Sequence, residues 1–307
     1  MKVYLSKINE SWVVDRMREE WYENNQEYSV ENPKEADLIW IISPWLWKKE
    51  SKKYMKSKTV ICSIFHFEDK DYSKKSMIEF KKREKYIDYY HVISLKTKED
   101  LKKLTDKEIF YIPFWVNGDI WFEIKDKLAL RNKYKIPKNS FVIGSFQRDT
   151  EGSDLKSPKL IKGPDRLAKI INKMNTEYDN LTVLLTGKRR QFIISELEKM
   201  KIKYLYLEMV DFNTLNELYN CLDLYIVTSR IEGGPQAIVE CGITRTPIIS
   251  TDVGLASEIL HQNSIFNMEN FKDAKPEIDF AYKNSLQLKI PHGFNEFLEV
   301  FNSLVIK

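Results

Sequence analysis

A chain of 307 residues exceeds the usual size of one hydrophobic core, so two domains are expected. Its 43% hydrophobic and 31% charged residues are the composition of a folded protein and exclude collagen-like, disordered and coiled-coil classes. The net charge of +4 is too small for a surface built around nucleic acid.

The first part of the chain alternates short apolar runs with helical patterns. Lys2 to Leu5, Asp37 to Ile42, Lys58 to Ile64, Tyr89 to Ser94 and Ile109 to Pro113 read as strands. Ser11 to Tyr22, Tyr72 to Tyr86 and Thr97 to Leu104 have the periodicity of helices with one exposed face. Such alternation implies a parallel sheet. The segment Pro44 to Lys58 interleaves Trp45, Trp47 and Tyr54 with lysines. It reads first as a solvated helix face, and second as a contact with an anionic membrane surface. Lys135-Ile-Pro-Lys-Asn139 is a turn that introduces a second sheet. Phe141 to Phe146, Leu181 to Thr186, Lys203 to Leu207, Asp223 to Thr228 and Pro247 to Ser250 supply its strands, each followed by a helix. Thr214-Leu-Asn-Glu217 has the pattern of a capping box. A last amphipathic helix carries Phe294, Phe297, Leu298 and Phe301.

The longest apolar runs are far too short to span a bilayer, and the first residues run straight into a strand, so a cytoplasmic protein is expected. Cys62, Cys221 and Cys241 are odd in number and set in apolar surroundings, which suggests core residues rather than disulfides or a zinc site. Four histidines without ligand spacing lead to the expectation of no metal site.

In an open parallel sheet, ligands bind at the carboxyl ends of the strands. Arg148, Gly187, Met209, Val210, Glu232 and Asp252 each follow a predicted strand and therefore share one edge. The most informative stretch is Glu232-Gly-Gly-Pro-Gln-Ala-Ile-Val-Glu240, a strand-to-helix crossing with a carboxylate at either end. Pro235 suits the first helical turn, and Gly233 and Gly234 let backbone amides approach a diphosphate closely. Taken alone, the acid pair is also compatible with solvated or capping glutamates.

The run Ser229 to Gly254, followed by Glu258-Ile259, resembles the donor-binding signature of retaining glycosyltransferases of family four, also known as glycosyl transferases group 1. The resemblance implies the GT-B fold: an α/β protein of two Rossmann-like domains with parallel sheets facing across a cleft. Ile112-Pro-Phe-Trp-Val-Asn-Gly-Asp119 resembles the family's interdomain linker. The implied division is an acceptor-side domain over 1–117, a nucleotide-sugar domain over 118–285, and a helix over 286–307 that crosses back to the first.

By the same resemblance, Glu232 contacts the transferred sugar and Glu240 the ribose hydroxyls. Ser145-Phe-Gln-Arg148 and Ile161-Lys-Gly-Pro-Asp165 resemble a second signature, in which Arg148 and Lys162 hold the diphosphate. The connection from Asp149 to Leu160 is longer than usual, which leaves Lys159 and Lys162 both open as the phosphate-binding lysine. His66 occupies the place of a histidine that faces the sugar, Glu68 and Asp69 are weaker acceptor-side candidates, and Ser94 matches a structural serine. Gly187 and Val210 fall among the nucleotide contacts. The first loop, Ser6 to Ser11, lacks the glycine-rich turn of many relatives and leaves Ser6, Asn9 and Ser11 to replace it.

The implied activity is metal-independent, retaining transfer of a sugar from a nucleoside diphosphate to a glycan, a lipid-linked or another hydroxyl acceptor. No cofactor beyond the donor substrate is expected. The alternatives are a degenerate nucleotide-sugar-binding subunit and another GT-B enzyme, such as a sugar-nucleotide epimerase.

Overall fold

The computed structural model describes residues 1–7 and 13–305. The chain divides into two compact units, Met1–Trp115 with Ile290–Lys307, and Val116–Lys289. Asn9 and Ser11 of the first loop lie outside the described residues.

Unit 1 contains β1 (Val3–Leu5), α1 (Val13–Asn24), β2 (Leu38–Ile41), α2 (Lys52–Met55), β3 (Thr59–Ile64), α3 (Lys74–Glu84), β4 (Tyr89–Val92), α4 (Leu95–Lys102) and β5 (Ile109–Tyr111). The strands form one parallel sheet in the order β1-β2-β3-β4-β5. Two helices start where a serine satisfies free amides: Ser73 accepts from Ser76 N, and Ser94 from Thr97 N. That cap is the structural duty of Ser94.

The segment Pro44 to Lys58 is not one amphipathic helix. Pro44–Lys48 is a 3-10 turn, and α2 adds a single turn after it. The core draws in Leu46, Trp47 and Met55, which breaks the run, while Lys52 Nζ stands 4.1 Å above the Trp47 ring.

Aromatic side chains dominate this core. Trp21, Trp40 and Trp115 meet Phe294, Phe297 and Phe301, with ring centroids 4.5 Å apart for Trp115–Phe294 and 5.1 Å for Trp40–Phe297. Phe297 and Phe301, on the helix Asn295–Val305, are fully buried. At about 1.5–3 kcal/mol for each buried large side chain, this stripe explains why the last residues belong to unit 1.

A polar chain runs through the same core. Trp40 Nε1 donates to Ser63 Oγ at 2.8 Å, Ser63 Oγ lies 2.7 Å from His91 Nδ1, and His91 Nε2 lies 2.8 Å from the Ile112 carbonyl. A carbonyl can only accept, so Nε2 carries a proton, and the Ser63 hydroxyl, which accepts from Trp40, donates to Nδ1 of the neutral ring. Burial pushes His91 down to about 4, against the weaker pull of the Ile112 carbonyl. The unfolded chain therefore takes the proton first, near pH 6.5, and stability falls as the pH drops from there toward 4. The expected loss from this residue is about 3 kcal/mol. Acid unfolding of His91→Gln should show a correspondingly shallower dependence across that window; slopes equal to those of the parent chain would refute it.

Unit 2 contains α5 (Lys127–Lys133), β6 (Phe141–Ser145), α6 (Pro164–Met174), β7 (Leu181–Thr186), α7 (Gln191–Lys199), β8 (Lys203–Leu207), α8 (Phe212–Asn220), β9 (Leu224–Val227), α9 (Gln236–Thr244), β10 (Ile248–Thr251), α10 (Ala256–Ile259), β11 (Ile265–Phe266) and α11 (Ile278–Leu286). Its parallel sheet has the order β11-β10-β9-β6-β7-β8. The cap of α8 is Asp211, whose carboxylate accepts from Thr214 N at 2.7 Å, so the helix starts before the expected box. Strand order reverses between β6 and β9, and the crevice beyond the carboxyl ends of such a pair is the usual ligand site of an open α/β sheet.

Candidate functional site

Two loops leave this switch point, 146–163 after β6 and 228–235 after β9, and the backbone binds them together. Arg230 N and Ile231 N both donate to the Ile161 carbonyl, at 2.7 and 3.2 Å. Thr228 Oγ1 donates to the Gly163 carbonyl at 2.8 Å, and Gln147 Nε2 to the Lys162 carbonyl at 2.9 Å. Gly163 has φ +65°, and a Cβ there would stand 1.9 Å from the Thr228 carbonyl oxygen. Only glycine permits this approach. As a result Lys162 Nζ pairs with Glu232 Oε1, their side chains 22% and 11% exposed. Ser229 Oγ lies 3.3 Å from the same carboxylate oxygen and 3.2 Å from Gln147 Oε1, with one proton to give.

The long connection after Arg148 folds back on itself. Thr150 and Pro158 form an antiparallel bridge, Glu151 N donates to Ser157 O at 2.9 Å, and Lys159 N donates to Asp149 O at 2.8 Å. The chain therefore returns close to where it left, and Lys162 reaches Glu232. Arg148 is exposed. Its Nε donates to the Thr150 carbonyl at 2.9 Å, and it makes no ion pair among the described residues.

Beneath the loop lies an ion pair that sequence reasoning missed. Arg190 is fully buried; its Nε donates to Asp149 Oδ2 at 2.6 Å, and Nη1 donates to the carbonyls of Ser145 at 2.5 Å and Thr186 at 2.9 Å. One guanidinium thus joins the carboxyl ends of β6 and β7 to the residue after Arg148. In sequence it is only the last of three adjacent cations, Lys188-Arg-Arg190.

Gly233 and Gly234 connect Glu232 to α9. Pro235 stands at the cap position, one residue outside the helix, with Ile238 N donating to its carbonyl at 2.9 Å. The loop is clamped from β10: Thr251 Oγ1 donates to the Ser229 carbonyl at 2.7 Å. Gly254, at φ +53°, lies so near Gly233 that a Cβ would come within 2.2 Å of its carbonyl oxygen.

Glu240 is 5% exposed and accepts a 2.8 Å hydrogen bond from Tyr219 on α8. Burial and the Glu240 carboxylate together push the Tyr219 phenol far up. Gly187 follows β7 with φ +88°, and its carbonyl accepts from Tyr206 at 3.1 Å. Val210 follows β8, half-buried beside the exposed Met209. Arg148, Gly187, Val210 and Glu232 thus follow carboxyl ends of strands in one sheet.

His66 belongs to unit 1. It follows β3 and lines a cavity of about 620 Å³, with Nε2 3.5 Å from Glu68 Oε1. Asp69-Lys70-Asp71 is an acidic pair two residues apart, and Asp71 accepts from Glu68 N at 2.8 Å.

Residues 155–275 match the model of a family described as glycosyl transferases group 1, a span that includes Lys162, Glu232 and Glu240 but not Arg148. No curated protein sequence matches the chain. Among solved structures, Alr3699/HepE of Anabaena in complex with UDP superposes with a TM-score of 0.76 at 12% identity, over 99% of this chain and 100% of that one. The same protein has been solved with UDP-glucose, at a TM-score of 0.75 and 12% identity, over 98% and 99%. Sucrose-phosphate synthase of Thermosynechococcus elongatus gives 0.69 at 12% identity, over 97% and 80%. A glycosyltransferase from Rickettsia africae gives 0.66 at 16% identity, over 98% and 83%. The fold is accordingly that of the GT-B class, two parallel-sheet α/β domains of five and six strands. Among the described residues no helix is long and apolar enough to cross a membrane.

Proposed function

We propose that the chain is a retaining, metal-independent glycosyltransferase that binds a nucleoside diphosphate sugar at the switch point of unit 2. On this reading it passes the sugar to a hydroxyl of a glycan or lipid-linked acceptor. The observation that carries the reading is the Lys162–Glu232 pair set at that switch point, with Arg148 on the loop after β6 in no ion pair among the described residues.

The largest electrostatic demand of such a transfer is the negative charge that collects on the departing diphosphate. Fixed cations aimed at it lower the barrier by several kcal/mol, typically about 3–4 for one removed donor. Lys162 and Arg148 supply that charge. An incoming diphosphate competes with Glu232 for Lys162, and the released carboxylate then accepts hydroxyls of the donor sugar. Glu240 holds the ribose, and the amides of Gly233 and Gly234 meet the phosphates. The acceptor hydroxyl gives its proton to the departing diphosphate oxygen as the new bond forms on the same face, so no enzymic nucleophile is required.

A cytoplasmic location fits nucleotide-sugar chemistry. Peripheral membrane contact through Trp45 to Lys58 is supported by Trp45, 43% exposed, and by the exposed Lys49, Lys53 and Lys56.

The UDP complexes of HepE make UDP-glucose the first donor to try, beside GDP- and ADP-sugars. A ligand bound at a hundred times its Kd adds about 2.7 kcal/mol to folding stability. The expected result is a rise in melting temperature with one nucleotide sugar, equal with and without Mg²⁺, and a transferred sugar of unchanged anomeric configuration. No rise with any of them would defeat the reading. An inverted product would defeat retention alone, and a rise that needs Mg²⁺ would defeat metal independence.

A further inference from the structure

Glu240 is the only charged side chain on α9, yet it is 5% exposed. Burying a carboxylate is costly unless hydrogen bonds compensate it, so its place needs a reason. A ribose contact accounts for the acid but not for its orientation. The end of a glutamate side chain turns broadly about its last torsion, so a carboxylate that accepts from two neighbouring ribose hydroxyls has to be held in one plane.

Tyr219 on α8 does the holding. Its phenol donates to Glu240 Oε2 at 2.8 Å. Burial, and after it the Glu240 carboxylate, push that phenol far up, so it stays a donor and never becomes a competing anion. The ring is itself fixed: Phe146, Tyr225 and Trp121 surround it, with centroids 4.9, 5.5 and 5.7 Å away. The main chain of both partners is tied as well. Thr246 Oγ1 donates to the Tyr219 carbonyl at 3.0 Å, and Thr244 Oγ1 to the Glu240 carbonyl at 2.9 Å. Phe146 stands two residues before Arg148, and its amide donates to the Tyr225 hydroxyl at 2.9 Å. The aromatic cluster therefore reaches from Glu240 to the start of the loop proposed to hold the diphosphate.

We infer that Tyr219 is a positioning residue for nucleotide recognition: by holding one carboxylate oxygen of Glu240 it presets the plane that accepts from the ribose hydroxyls, and so selects ribonucleotides over nucleotides that lack them. Glu240 as the ribose contact belongs to the function proposed above, and the part of Tyr219 rests on that reading. A phenol that merely compensated a buried carboxylate would stabilise the fold without bearing on which nucleotide binds.

Calorimetric titration of the full chain with UDP, GDP and ADP, each beside its 2′,3′-dideoxy form, separates the two roles. The parent chain should bind at least one ribonucleotide about tenfold or more tighter than its dideoxy form, as hydrogen bonds to a charged group imply. Tyr219→Phe, which removes only the hydroxyl, should cut that ratio to about threefold or less, by weakening the ribonucleotide while the dideoxy form binds as before. Glu240→Leu should abolish the ratio. An unchanged ratio in Tyr219→Phe, or an equal loss for both forms, would assign the phenol to the fold alone and overturn the inference, while loss of the ratio in Glu240→Leu would leave the ribose contact standing. A parent chain without preference for the ribonucleotide, or a full ratio in Glu240→Leu, would overturn the ribose contact and the inference with it. Should Tyr219→Phe fail to give a cooperative thermal transition, the uncharged pair Glu240→Gln and Tyr219→Phe/Glu240→Gln decides. The single variant should keep part of the ratio through its amide oxygen and the double variant none; equal ratios in the two would count against the positioning role.

Discussion

Lys162→Ala is expected to lower turnover of the donor sugar about 100- to 1,000-fold, the usual cost of removing one charged or polar group aimed at a developing anion. The free protein gives the reason for a second effect, on affinity. Lys162 is paired with Glu232, so on the proposed role a diphosphate competes with that carboxylate for the ammonium. Without the lysine, the carboxylate of Glu232, only 11% exposed, faces the diphosphate uncompensated, and UDP affinity should fall tenfold or more. Glu232→Gln removes the competitor instead. It should leave UDP affinity equal or higher while turnover drops by a similar 100-fold or more, because the sugar loses its orienting carboxylate. Lys162→Arg, which keeps the charge, should recover part of the loss. Steady-state rates and UDP titrations on the three variants separate these effects. Full turnover in Glu232→Gln, or unchanged UDP affinity in Lys162→Ala, would break the assigned roles.

The central strands were legible because burial on both faces leaves near-continuous apolar runs, as in Leu181 to Thr186 and Leu224 to Val227. Edges were not: β11 is two residues long and has no pattern to detect. The segment Pro44 to Lys58 looked like one helix since lysines and aromatics alternate there. Composition does not reveal that the core takes Trp47 and leaves Trp45 outside. Glu232 and Glu240 could be singled out as carboxylates at either end of a strand-to-helix crossing, and Arg148 and Lys162 through the family resemblance. That Lys162 meets Glu232 depends on the closure of 149–160 and on a left-handed Gly163, which are long-range geometry. Tyr219 against Glu240, 21 positions apart, has no sequence signal.

Arg190 is the strongest case of a residue whose duty only tertiary structure discloses, and its removal should have the largest effect on stability. Its side chain is 0% exposed and that of Asp149 3%, so the pair is screened by almost no solvent. Arg190→Met leaves a buried carboxylate without its cation and the carbonyls of Ser145 and Thr186 without their donors. Breaking a buried pair in this way costs about 3–5 kcal/mol, whereas replacing both partners by apolar groups is far less costly. Hydrogen exchange at the amides of β6 and β7, read by mass spectrometry, should accelerate roughly 10²- to 10⁴-fold in Arg190→Met. The double variant Arg190→Met/Asp149→Leu should recover at least half of that free energy, since no unpaired charge remains. Acceleration below about tenfold in the single variant would mean that water reaches Asp149 and that the pair does not hold the strand ends. Because Asp149 directly follows Arg148 and also receives the returning chain at Lys159, loosening it should shift the loop that carries Lys162. UDP affinity is therefore expected to fall in Arg190→Met although Arg190 touches no part of the proposed ligand, and to return with stability in the double variant.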